Sequence, residues 1–188
     1  MSFTHSWPAA QPARERRGAL ARLLDSLHPL YFLVDAARDP AILPLVQGGG
    51  CRHDSLFADE RAIALAQFSP YLVVNHPGSS LRGDLIDHWG EAWGLYLTCD
   101  APYESLLAHL RDWLWADTED GPMLFRFYDP RVLSGFLPAC NAGRAADFFG
   151  PVKAFIVEAA DPDSFIYCTR GQGGVDIRSY LLAAIPPG

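Results

Sequence analysis

The spacing of apolar residues changes period several times along the chain. Leu20, Leu23, Leu24 and Leu27 recur at helical spacing after Arg14, and the pattern stops before Pro29, which disfavours helix at the residue preceding it. Residues 30–34 are an unbroken apolar run with aromatic and β-branched members, the pattern of a short strand buried on both faces. Asp39 then suits a helix N-cap with Pro40 at the first helical position, and Ile42, Leu43 and Val46 supply an apolar face before three glycines, Gly48 to Gly50. The alternation continues: 59–68 is helical in pattern, 71–74 is β-prone, 81–89 helical and 93–98 β-prone. Asp100 is a natural N-cap with Pro102 in the first turn, and Leu106, Leu107, Leu110, Trp113 and Leu114 trace one stripe. Residues 123–128 read as a strand, 130–137 as a helix and 145–149 as a helical turn. Strands at 152–158 and 164–169 are joined by Asp161-Pro162-Asp163, whose proline pre-sets one backbone angle of a turn.

Strands trading places with helices predict an α/β fold: a mixed β-sheet flanked by helices on both faces, with a C-terminal antiparallel hairpin. Residues 1–13, rich in Pro and Ala, are expected to form a flexible N-terminal arm, and 14–188 a single domain. A net charge of -7 argues against a nucleic-acid partner, because neutralising phosphates needs a basic surface. The cluster Arg14, Arg16, Arg17 and Arg22 reads as a solvated helix face. No apolar h-region opens the chain and no apolar run reaches about 18 residues, so a cytoplasmic protein without membrane insertion is expected.

Candidate chemistry is sparse. Cys51, Cys99, Cys140 and Cys168 never form a C-x-x-C pair, and the G-x-S-x-G elbow of a hydrolase is missing. Cys51 with His53 is a conceivable nucleophile pair, but it follows three glycines and reads first as a loop. Asp84, Asp87, His88 and Glu91 share one helix face; a metal there competes with the plainer reading of a solvated surface. Gly171-Gln172-Gly173-Gly174 lacks the context of a phosphate loop and reads as a flexible turn. No catalytic residue, metal or cofactor is therefore expected. Tryptophan, tyrosine and arginine, which dominate protein interfaces, leave a binding role open.

Four segments taken in order carry a resemblance: Tyr31-Phe32-Leu33-Val34-Asp35-Ala36-Ala37-Arg38-Asp39-Pro40, Pro70-Tyr71-Leu72-Val73, Trp93-Gly94-Leu95-Tyr96-Leu97-Thr98 and Leu124-Phe125-Arg126-Phe127-Tyr128-Asp129-Pro130-Arg131-Val132-Leu133. Together they resemble the type VI secretion system effector adaptor/chaperone domain family, the domain of unknown function DUF4123, over about residues 31–157. The resemblance implies a non-enzymatic adaptor that binds a secreted effector and loads it onto a VgrG-type spike. Within the last block, Arg126 interrupts an apolar strand and needs a carboxylate; Asp129, Asp35 and Asp100 are the nearest kinds of partner. Two roles stand open: Arg126 braces the strand end while Asp129 caps the next helix, or Arg126, Tyr128 and Arg131 border a surface that grips the spike or effector. Trp93, Asp35 and Arg38 complete the candidate set. Two other functions compete: a small hydrolase using Cys51 or a metal on the Asp84/His88 face, and an immunity protein for a neighbouring toxin.

Overall fold

A computed structural model describes residues 13–119 and 121–186; of the arm expected at 1–13, residues 1–12 lie outside the described residues and Ala13 opens the first helix. Helix α1 (Ala13–Asp25) leads into strand β1 (Leu30–Asp35), every residue of which is buried. Then follow α2 (Ile42–Gly48), β2 (His53–Ser55), α3 (Asp59–Ala64) with a 3-10 turn at Ala66–Phe68, β3 (Pro70–Val74), α4 (Ser80–Asp87) and β4 (Gly94–Cys99). After α5 (Tyr103–Asp112) come a separate two-stranded hairpin of β5 (Trp115–Thr118) and β6 (Gly121–Leu124), then α6 (Pro130–Phe136) and α7 (Ala142–Phe149). Strands β7 (Val152–Glu158), β8 (Ser164–Arg170) and β9 (Val175–Leu181) complete the main sheet, and a 3-10 turn, Leu182–Ala184, follows it.

The seven strands lie in the order β2-β3-β1-β4-β7-β8-β9. Side chains alternate across a strand, and the burial sorts accordingly. Tyr31, Leu33, Leu95, Leu97 and Phe155 face one core, built with α5, α6 and α7; Phe32, Val34, Tyr96 and Ile156 face the other, built with α1, α2 and α4. The α/β class, the helices on both faces and the C-terminal hairpin are thus as the sequence pattern indicates. Every pairing in the sheet is antiparallel, however, where a mixture of directions was expected. β3 and β4 flank β1 and both run opposite to it, so the chain reverses direction between every pair of neighbouring strands.

Two local expectations are corrected. Asp100 does not cap α5, whose N-cap is Pro102; Asp100 pairs with Lys153 across the neighbouring strand. The strand expected at 123–128 stops at Leu124, because Phe125 and Phe127 turn into the core against Phe136 and Phe148 instead of continuing the hairpin. The glycine segment 171–174 is a turn, as its sequence indicates; it leads into β9 and is closed by the Gly171 N–H donating to the Gly174 carbonyl at 2.9 Å.

Candidate functional site

The C-terminal end of β1 is where the distant sequence blocks meet. Asp35 is fully buried. Its N–H donates to the Trp93 carbonyl at 2.8 Å, which ties β1 to the start of β4. Its Oδ1 accepts the Ala37 N–H at 3.0 Å and its Oδ2 accepts Arg126 Nη2 at 2.6 Å. A buried carboxylate is tolerable only when paired and hydrogen-bonded, and here one residue of the 31–40 block is satisfied by one from the 124–133 block, 91 positions away.

Arg126 stands between two acids. It lies 3.9 Å from Asp129 and 5.8 Å from the centroid of the Tyr128 ring. Asp129 caps α6 by accepting the Arg131 N–H at 3.0 Å, and it holds the Arg131 guanidinium by a fork, at 2.9 Å through Nε and 2.6 Å through Nη2. Burial works against the Asp129 charge, but the Arg131 hydrogen bonds and the nearby Arg126 outweigh it and hold its pKa below the ordinary value. Asp35, Arg126, Asp129 and Arg131 thus form a row of alternating charge in which both acids are buried, while the Arg126 side chain is 41% exposed and that of Arg131 60%. Tyr128 is buried beside the row, and burial with the negative charge of Asp35 pushes its hydroxyl up to about 12.

The other two candidates brace the same place. Arg38 donates from Nε to the Ala92 carbonyl and from Nη2 to the Glu91 carbonyl, each at 3.1 Å. Trp93 is buried and stacks on His88, with ring centroids 3.9 Å apart. All seven candidates therefore lie in one region, where Arg126 pairs with Asp35 and Asp129 caps α6 and holds Arg131.

Sequence reasoning missed three members of this region. Glu158, at the end of β7, accepts the Ala92 N–H at 2.9 Å, and burial raises its carboxyl to about 7. Ala92 itself has φ of 56°, a left-handed conformation rare for a residue with a Cβ, and is held there by Glu158 on one side and Arg38 on the other. Gly94 admits no side chain: a Cβ would lie 2.1 Å from the Leu33 carbonyl oxygen. The alanine and the terminal glutamate carry no distinguishing sequence signal, whereas the glycine opening an otherwise bulky strand was a usable one. Beside the charge row, Ala92, Pro130, Arg131, Ser134, Glu158 and Ile166 line an open groove. The Arg131 guanidinium beside this largely apolar lining suits contact with polypeptide carboxylates and carbonyls.

The competing chemistry is dispersed by the fold. The Cys51 thiol donates to the Gly49 carbonyl, and His53 Nδ1 meets the Cys51 carbonyl oxygen rather than its sulfur. Asp87 pairs with Arg17, and His88 Nδ1 lies 3.1 Å from Glu91. Among the described residues no group of three or more His, Cys, Asp or Glu side chains could hold a metal ion, and no helix is long and apolar enough to cross a membrane.

The family model described as "domain of unknown function (DUF4123)" matches residues 30–147, a segment that holds all seven candidates. The chain belongs to this family. DUF4123 is the family of type VI effector adaptors and chaperones, and its members are generally non-enzymatic. No curated protein and no solved structure matches the chain.

Proposed function

We propose that this DUF4123 protein is a cytoplasmic, non-catalytic adaptor that binds a cognate effector and loads it onto a VgrG-type spike. Family membership supports the secretion role, and the observation that carries the rest is the convergence of the 31–40, 93–98 and 124–133 blocks on one braced edge. Asp35, Asp129, Arg38 and Trp93 fix the geometry, while Tyr128 packs beneath. Arg126 and Arg131 present the guanidinium edges that contact a partner. Residues 14–188 act as one adaptor unit.

Arg131 is the informative position, because its side chain is 60% exposed and Arg126, 3.9 Å from Asp129, remains beside that carboxylate when Arg131 is replaced. The full chain, tagged and co-expressed with a VgrG-type spike protein and an effector encoded beside it, captures both. Arg131→Gln lowers capture of at least one partner about ten-fold, and although Asp129 loses its guanidinium fork the variant still unfolds in one cooperative transition. Unchanged capture of both partners by the folded variant removes this edge from the proposal.

A further inference from the structure

Helix α1 and the turn Leu182–Ala184 lie outside the segment matched to the family, and an open groove runs between them. Its floor is small and apolar, from Gly18 and Ala19, and Leu182 and Ile185 form a wall. Arg14 and Arg22 line it, and Glu15 does too. Residues eight apart on a helix share a face and are separated by about 12 Å along the axis. The two guanidinium groups therefore stand near opposite ends of the floor.

Neighbouring arginines are already engaged: Arg16 with Asp163 at 3.4 Å, Arg17 with Asp87, and Arg82 with Asp25 at 2.7 Å. Among the described residues neither Arg14 nor Arg22 forms an ion pair. Arg22 also has its Nε buried with no hydrogen-bond partner, and its Nη1 would sit 3.4 Å from a Cβ placed on Gly18, so the guanidinium folds back over the floor. A cation that has lost part of its hydration and gained no counter-charge has most to gain from an incoming carboxylate.

We infer that this groove docks an acidic segment of a partner protein: an extended stretch with two carboxylates four residues apart and an apolar residue midway. In extended chain that spacing spans about 13 Å and puts all three side chains on one face, so the carboxylates meet Arg14 and Arg22 while the apolar residue covers Gly18 and Ala19. The apolar wall and floor favour a peptide, which can bring an apolar side chain between its carboxylates, over the evenly charged backbone of a nucleic acid. The inference does not depend on the adaptor reading, since the groove shares no residue with the Arg126 region.

The test uses the full ¹⁵N-labelled chain and the capped peptide Gly-Glu-Ser-Leu-Ser-Glu-Gly, with its Glu-to-Gln counterpart as control. Amide shifts at 14–22 and 182–185 should move and saturate below millimolar peptide, with affinity about ten-fold weaker for the Gln peptide. Arg14→Glu combined with Arg22→Glu should weaken binding by a similar factor or more. Gly18→Leu, which fills the floor and favours helix, should weaken binding while leaving the fold intact. Absence of saturable shifts, equal binding of the Gln peptide, undiminished binding by folded Gly18→Leu, or tighter binding of a short single-stranded DNA at the same residues would each overturn the inference.

Discussion

Removing Arg126 probes the join between the two sequence blocks. Arg126→Ala leaves the Asp35 carboxylate fully buried with the Ala37 N–H as its one remaining side-chain hydrogen bond among those described. Breaking a fully buried ion pair from one side costs about 3–5 kcal/mol. Because the Arg126 side chain is 41% exposed, water can reach part of the vacated space, and the expected cost falls to about 2–3 kcal/mol. Asp35→Asn keeps the acceptor for Ala37 and leaves Arg126 free to turn toward Asp129, 3.9 Å away, so it should cost only about 1 kcal/mol. The double variant strands no charge and should cost about 1–2 kcal/mol, clearly less than the two single effects together. Urea denaturation followed by tryptophan fluorescence reads all four proteins with a common slope. Additive single effects, or an Arg126→Ala variant within about 0.5 kcal/mol of the parent, would refute the view that this pair closes the domain.

Glu158 makes stability fall as pH rises. Its folded pKa of about 7 exceeds the ordinary 4.5, so the folded state holds a proton that the unfolded chain releases between those values; the contribution is complete below about 4.5 and lost above about 7. The difference corresponds to roughly 3 kcal/mol as an upper figure, and thermal melts from pH 5 to pH 8 should show a decline that Glu158→Gln flattens; parallel curves for the two proteins would contradict this. Gly94→Ala drives a methyl group into the Leu33 carbonyl and should cost more than about 3 kcal/mol or prevent folding, and a soluble variant with parental melting temperature would exclude so close an approach. Ala92→Gly relieves the left-handed conformation and should stabilise the chain by up to about 1 kcal/mol in the same urea assay, whereas a loss would mean that the methyl group packs usefully.

Sequence pattern exposes what is buried and hides what is not. The central strands β1, β3, β4 and β7 are apolar on both faces, so their runs are continuous and legible. The strands that escaped, β2, β5 and β9, lie at the sheet edges or in the small hairpin, where polar side chains erase the periodicity; in β9 all but the first residue is exposed. Strand directions also escaped, since periodicity fixes a strand's faces and not its neighbour. At the site, Arg126 stood out because a charge inside an apolar block demands a partner, and Asp35 was among the partners its chemistry allowed. Choosing Asp35 over Asp100 required the fold, which spends Asp100 on Lys153. Glu158 could not be found that way: a glutamate closing a strand looks solvated until the turn at Ala92 is seen to cover it.

The most direct measurement is reconstitution from purified parts: this chain, a VgrG-type spike protein and the effector encoded beside them, passed through size-exclusion chromatography with light scattering. An adaptor gives a complex containing all three, and leaving out this chain abolishes effector association with the spike. An effector that joins the spike equally well without it, while the chain is folded and binds neither, would contradict the account.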